Sequence, residues 1–207
     1  MTADNKADIE AARTAYNALT TEQKNGVSAE TLKKLTDAED KLVILQTMSE
    51  VSAKTGSGMT YNGSPIQLIN TPTTALPTGY SMKYAVTTEN TAPTDDNLYT
   101  TSIPSKTDAG TYYVWYKVVG DANHLDTEAQ SVTVTVEPIV FGDVNFDGAV
   151  DIADALMISR YDAGLTQLDE KQLFAGDVNG DGEVDIADAL MISRYDVGLI
   201  DGFTRTE

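Results

Sequence analysis

Apolar residues recur at helical spacing near the start of the chain, at Ile9, Ala12, Tyr16 and Leu19 and again at Leu32, Leu35, Leu42 and Leu45. The pattern predicts an α-helical hairpin or small bundle in residues 1–54, each apolar stripe needing a partner to cover it. Thr20 and Gln23 have capping-box spacing, and Ser28 after Gly26 and Val27 is placed to cap the longer helix. At KTGSG, residues 54–58, the composition turns to that of a hinge, and a boundary is placed there.

From Met59 to Glu137 the period becomes two. YNGSPIQLI, SMKYAV, TYYVWYKVV and SVTVTV are short β-branched and aromatic runs separated by Pro, Gly, Asn and Asp, which predicts an all-β sandwich over residues 55–138. In the third run Tyr112, Val114, Tyr116 and Val118 share one face, and Tyr113, Trp115, Lys117 and Val119 the other. DAGTYYV resembles the tyrosine-corner strand of immunoglobulin-like domains, with Val114 where antibody domains carry a cysteine. The segment is similar to bacterial immunoglobulin-like repeats, which implies a spacer or adhesive role. AARTAYNALTTEQKNGVSAETLKKLTDAEDKL likewise resembles small helical repeats of Gram-positive surface proteins, and its size makes it marginal as an independent unit.

Residues 139–207 carry a tandem duplication. GDVNFDGAVDIADALMISRYDAGL at 142–165 returns as GDVNGDGEVDIADALMISRYDVGL at 176–199, with differences only at Phe146/Gly180, Ala149/Glu183 and Ala163/Val197. The formal net charge of −18 is concentrated here: residues 142–201 hold 14 Asp and Glu against 3 Lys and Arg. Such a charge argues against nucleic-acid phosphates and against anionic membranes as partners. No apolar run approaches the ~18 residues of a membrane span, and the polar MTADNKADIE does not read as a signal peptide. The abrupt helical start is what a fragment of a longer, exported protein would give. With no cysteine in the chain, a small module needs another staple, and metal is one.

Each copy has the spacing of a calcium loop. Asp143, Asn145, Asp147, Asp151 and Asp154 stand at loop positions 1, 3, 5, 9 and 12, with Gly148 at 6 and the carbonyl of Ala149 at 7. The second set is Asp177, Asn179, Asp181, Asp185 and Asp188, with Gly182 and the carbonyl of Glu183. Two Ca2+ ions are therefore expected, with Asp151 acting through a water and Asp154 closing the site. Clustered carboxylates repel one another unless a divalent ion compensates them, so without calcium the segment is expected to be largely disordered. The plain alternative is that these Asp and Asn residues mark turns and helix caps.

Position 12 is Asp rather than Glu, and neither loop reads as preceded by a helix, so each unit is loop then helix. This arrangement, with DIADALMISRYD in both copies and LTQLDEKQLFA between them, resembles the type I dockerin over residues 142 to about 201. The resemblance implies an all-α module of two loop–helix (F-hand) repeats. It also implies an extracellular, calcium-dependent assembly role in a cellulosome-like, polysaccharide-degrading complex, the partner being a cohesin of a scaffoldin or cell surface. Carried over from the family, the partner-selecting positions are Ile152, Ala153, Ser159 and Arg160, then Ile186, Ala187, Ser193 and Arg194. Ile and Ala stand where the best-known dockerins carry hydroxyls, so an apolar cohesin face is expected. Near-identity of the copies implies dual-mode binding by a module that is monomeric when unbound.

Alternatives stay open. Ile152 and Ile186 could pack inside the module, although Val150, Val184, Leu156, Leu190, Ile158 and Ile192 are better core candidates, Met157 and Met191 being ambiguous. Phe141 and Phe203 flank the module and could stack as a clasp or be plain linker residues. No enzyme is expected: His124 in GDANHLD reads as a solvated turn residue, and Tyr113 with Trp115 reads as sandwich packing before a glycan-stacking strip. The rival functions are a calcium-stiffened adhesive stalk whose β-domain binds glycan or host protein, and a calcium buffer or sensor.

Overall fold

The computed structural model describes residues 3–56 and 59–205. Ser57 and Gly58 of the hinge lie outside the described residues. The elements are α1 (Ala3–Ala18), α2 (Thr21–Asn25), α3 (Ala29–Ser49), β1 (Ser52–Ala53), β2 (Ile66–Gln67), β3 (Ile69–Asn70), β4 (Tyr80–Thr87), β5 (Ser105–Lys106), β6 (Gly110–Gly120), β7 (Gln130–Val136), α4 (Ile152–Asp162), α5 (Glu170–Gly176) and α6 (Ile186–Asp196). They form two compact units that interleave in sequence: residues 3–56, 67–105 and 111–134, and residues 59–66, 106–110 and 135–205.

In the first unit the caps fall where the sequence places them. Thr20 and Gln23 bond reciprocally at the start of α2, and Ser28 accepts from the Thr31 amide at the start of α3. Such a cap stabilises a helix by about 1 kcal/mol. The short α2, read in the sequence only as a cap, makes this region three helices. Arg13 of α1 pairs with Glu39 of α3 through its guanidinium. Burial begins only at Ile44, Thr47 and Met48 of α3, so the preceding helical turns have little core of their own.

The first unit is also β-rich. β4 and β6 run antiparallel with Tyr84 opposite Tyr116 and Val86 opposite Val114, and the sheet order is β4–β6–β7. Tyr112, Val114, Tyr116 and Val118 are all buried, as the alternation in β6 predicts. On the opposite face Tyr113 and Trp115 are half-buried, and the Trp115 Nε1 donates to Thr87 Oγ1 at 3.0 Å. β1 pairs antiparallel with β3, Ser52 facing Asn70. Glu50, at the end of α3, accepts from the Thr73 and Thr74 amides at 2.7 and 2.9 Å and from both hydroxyls. These bonds hold its carboxyl far down, at about 2 against an ordinary 4.5. His124 is less solvated than its loop-like sequence suggests: its Nδ1 meets Asp121 Oδ1 at 2.6 Å and its ring lies 4.6 Å from that of Tyr80.

In the second unit, residues 59–61 run beside Glu137, with Tyr61 N donating to Glu137 O at 2.8 Å and Glu137 N to Met59 O at 2.7 Å. Most of the rest is the duplicated segment. Its core consists of Val144, Ala155, Ile158, Leu168, Val178, Ala189 and Ile192, with Val150, Val184, Met157, Met191, Leu173, Tyr161, Phe141 and Phe203 packed around it. α4 and α6 meet through this core, where Ala155 and Ala189 leave room for Ile158 and Ile192.

Leu156 and Leu190, expected in the core, lie outside it at 49 % and 51 % exposure. At about 100° per residue they follow Ile152 and Ile186 at i+4, whereas the buried stripe runs through Ala155 and Ile158. α5 is likewise unforeseen, because LTQLDEKQLFA reads as a linker. Asp169 and Gln172 form a complete capping box there, a spacing visible in the sequence that could have located the helix.

Candidate metal loops and docking surface

The two loops are built alike. In the first, Asp143 Oδ1 accepts from Asp147 N at 3.2 Å and Oδ2 from Gly148 N at 3.1 Å, while Asn145 Oδ1 accepts from Asp147 N at 2.8 Å. Asp147 Oδ1 accepts from Ala149 N at 2.9 Å. Asp154, fully buried, accepts from Val144 N and Asn145 N through Oδ1 and from Asp151 N through Oδ2. Asp188 does the same in the second loop, with Val178, Asn179 and Asp185 as donors. Burial pushes the Asp188 carboxyl above its ordinary value, aided by the nearby Asp177 charge, against the pull of its three amide donors.

Gly148 and Gly182 both have φ +91, and a Cβ on either would meet nothing within 4 Å. Backbone handedness alone therefore calls for glycine at this turn. Asp151 and Asp185 serve as N-caps of α4 and α6, their carboxylates accepting from the Ala153 and Ala187 amides at 2.7 Å. The capping and loop assignments thus share the carboxylates of Asp151, Asp154, Asp185 and Asp188.

The donor set suits a hard divalent cation, since every candidate group is oxygen and the side chains of Asp143, Asn145 and Asp147 interlock on one tight turn. Among the described residues, however, no three carboxylate or imidazole groups converge into a ready-made cation cage. At the second loop a cation is already present: the Arg205 guanidinium pairs with Asp177 Oδ2 and donates to Asp177 O at 3.1 Å. Among the described residues its loop-one counterpart, Asp143, accepts from the Asp147 and Gly148 amides and pairs with no arginine or lysine.

Of the eight family-carried docking positions, Ile152, Ala153 and Arg160 are exposed on α4, and Ile186, Ala187 and Arg194 on α6. Ile152 is 60 % and Ile186 59 % exposed, so neither packs inside the module. Ser159 and Ser193 are half-buried, and each hydroxyl donates at 2.8 Å to the carbonyl four residues earlier, Ala155 or Ala189. Leu156 and Leu190 extend each exposed apolar stripe. Phe141 and Phe203 stack on other rings: Phe141 on Phe174 at 5.6 Å and Phe203 on Tyr195 at 5.1 Å.

No curated protein matches the chain. Among solved structures, similarity is found to the ScaB dockerin of Acetivibrio cellulolyticus in complex with the third cohesin of ScaC, at 34 % identity over 31 % of this chain and 92 % of that one, TM-score 0.31. A second is the Coh-OlpC–Doc435 complex of Clostridium thermocellum, at 33 % identity over 32 % of this chain and 99 % of that one, TM-score 0.31. A third is the Cel5 dockerin mutant with the sixth cohesin of A. cellulolyticus scaffoldin B, at 31 % identity over 30 % of this chain and 98 % of that one, TM-score 0.29. The model of the dockerin type I domain matches residues 141–195, a span that contains both loops and both exposed stripes. Through this C-terminal module the chain belongs to the type I dockerin family.

Proposed function

We propose that the chain attaches its parent protein to a cohesin on a scaffoldin or cell surface, outside the cell, in a calcium-dependent and dual-mode fashion. Type I dockerins are calcium-binding, non-catalytic docking modules. One Ca2+ is assigned to Asp143, Asn145, Asp147, the Ala149 carbonyl, Asp151 and Asp154, and a second to Asp177, Asn179, Asp181, the Glu183 carbonyl, Asp185 and Asp188. Bound there, each ion would compensate the loop's carboxylates and pin the start of the helix that follows. The β-rich region, in this reading, is an immunoglobulin-like spacer between residues 55 and 138.

The observation that carries the reading is the matched pair of apolar stripes, Ile152 with Leu156 and Ile186 with Leu190, at 60 and 49 % against 59 and 51 % exposure. Large aliphatic side chains repeated in this way on two equivalent helices have no use inside the module and suit a partner's apolar face. Arg160 and Arg194, exposed in the last turns, would meet carboxylates at the rim and speed encounter. Capture of the chain on a panel of immobilised cohesins, with calcium and with chelator, tests the proposal. Calcium-dependent retention by at least one cohesin supports it, and failure with every cohesin overturns it.

A further inference from the structure

We infer that Arg205 is a built-in competing cation that selectively weakens calcium binding at the second loop; this rests on the calcium reading proposed above. Arg205 sits on Asp177, the first residue of that loop, and its guanidinium lies over the rings of Phe174 at 4.4 Å and Phe141 at 4.9 Å. The backbone fixes it there as well: Arg205 N donates to Val178 O at 3.2 Å, and Thr204 Oγ1 to Asn179 O at 3.0 Å. Laid over two neighbouring aromatic rings and tied to the loop by its own amide, the guanidinium has less freedom to lose by pairing with the carboxylate.

The duplication supplies an internal control. The tail passes over Gly180, where a Cβ would lie 3.6 Å from Arg205 Cβ, so the second loop is bare at the point of crossing, whereas the first carries Phe146 at the same position. Beside the first loop, Lys171 Nζ lies 3.9 Å above the Phe146 ring. By formal charge the second loop, with Asp177, Asp181, Glu183, Asp185 and Asp188, would attract calcium more strongly than the first, which has Ala149 in place of Glu183. Arg205 offsets that excess. A divalent ion drawing on Asp177 must displace the guanidinium or share the carboxylate with it, and both weaken binding.

The test is calcium titration of the full chain followed by NMR, reading the amides of Gly148 and Gly182, which donate to Asp143 and Asp177 respectively. In Arg205→Gln the Gly182 midpoint should move to about tenfold lower calcium, the scale of one charge-assisted hydrogen bond, while the Gly148 midpoint stays in place. Arg205→Lys, which keeps the charge and loses the planar fork, should fall between Arg205→Gln and the parent. A Gly182 midpoint that is unmoved, shifts to higher calcium, or moves together with that of Gly148 overturns the role of Arg205 and leaves the calcium reading standing. Absence of any calcium response at either glycine overturns both.

Discussion

Removing one apolar stripe should scarcely weaken cohesin binding, and removing both should nearly abolish it. Ile152 and Leu156 are 60 % and 49 % exposed, so docking can remove roughly half of each side chain's surface from water. Full burial of such a side chain contributes about 1.5–3 kcal/mol, so the pair is expected to supply about 2–3 kcal/mol, or about 30- to 160-fold in Kd. The stripe on α6 offers the same. With two equivalent faces, Ile152→Ala with Leu156→Ala leaves the other intact and costs only the statistical factor of about 2, near 0.4 kcal/mol. Ile186→Ala with Leu190→Ala should behave alike, and the fourfold variant should lose the full amount. Both positions are exposed and Ala favours helix, so the fold should tolerate all four changes. Calorimetry against a cohesin that captures the parent chain measures each case. Loss of more than about tenfold from either pair alone would refute equivalent faces, and an unweakened fourfold variant would refute the docking surface itself.

Three further outcomes follow from the packing and charge. Ile158→Ala and Ile192→Ala, both fully buried, should each destabilise the module by about 2–5 kcal/mol in chemical denaturation, against under about 0.5 kcal/mol for Leu156→Ala. Gly142→Ala should be costly, about 1–3 kcal/mol in the same assay, because Gly142 has φ +94 and its Cβ would lie 2.7 Å from Val150 Cγ1. Glu50 has a folded value near 2 against an ordinary 4.5, so its ionised form supports the fold above about pH 4.5 and that support is lost as pH falls through about 2. The Tm difference between the parent and Glu50→Gln should therefore be largest near neutral pH and shrink toward pH 2, and a constant offset would contradict the assignment.

Local chemistry was legible in the sequence because it acts over a few residues. The Thr20 and Ser28 caps, the buried alternation of β6, the interlocked Asp and Asn side chains of the loops and the starts of α4 and α6 all depend on neighbours within one or two turns. The capping box of α5 had the same character and was masked only by the segment's reading as a linker. The choice between the two sides of α4 was not local: Ile152, Leu156 and Ile158 are all apolar, and periodicity alone left too many candidates for one stripe.

Tertiary packing settled that choice: α4 and α6 pack along Ala155, Ile158, Ala189 and Ile192, which leaves Leu156 and Leu190 turned outward. It also broke the symmetry of a nearly perfect duplication. Gly142 and Gly176 occupy the same place in the two copies, yet Gly142 turns with φ +94 beneath Phe203 and Gly176 ends α5. Near-equal sequence yields closely similar loops and equal helices, although Asp143 Oδ1 accepts from Asp147 N and Asp177 Oδ1 from Gly180 N. Beyond the exchanges Phe146/Gly180, Ala149/Glu183 and Ala163/Val197, what differs between the copies comes from chain segments distant in sequence, above all the tail that carries Arg205 onto Asp177 and not onto Asp143.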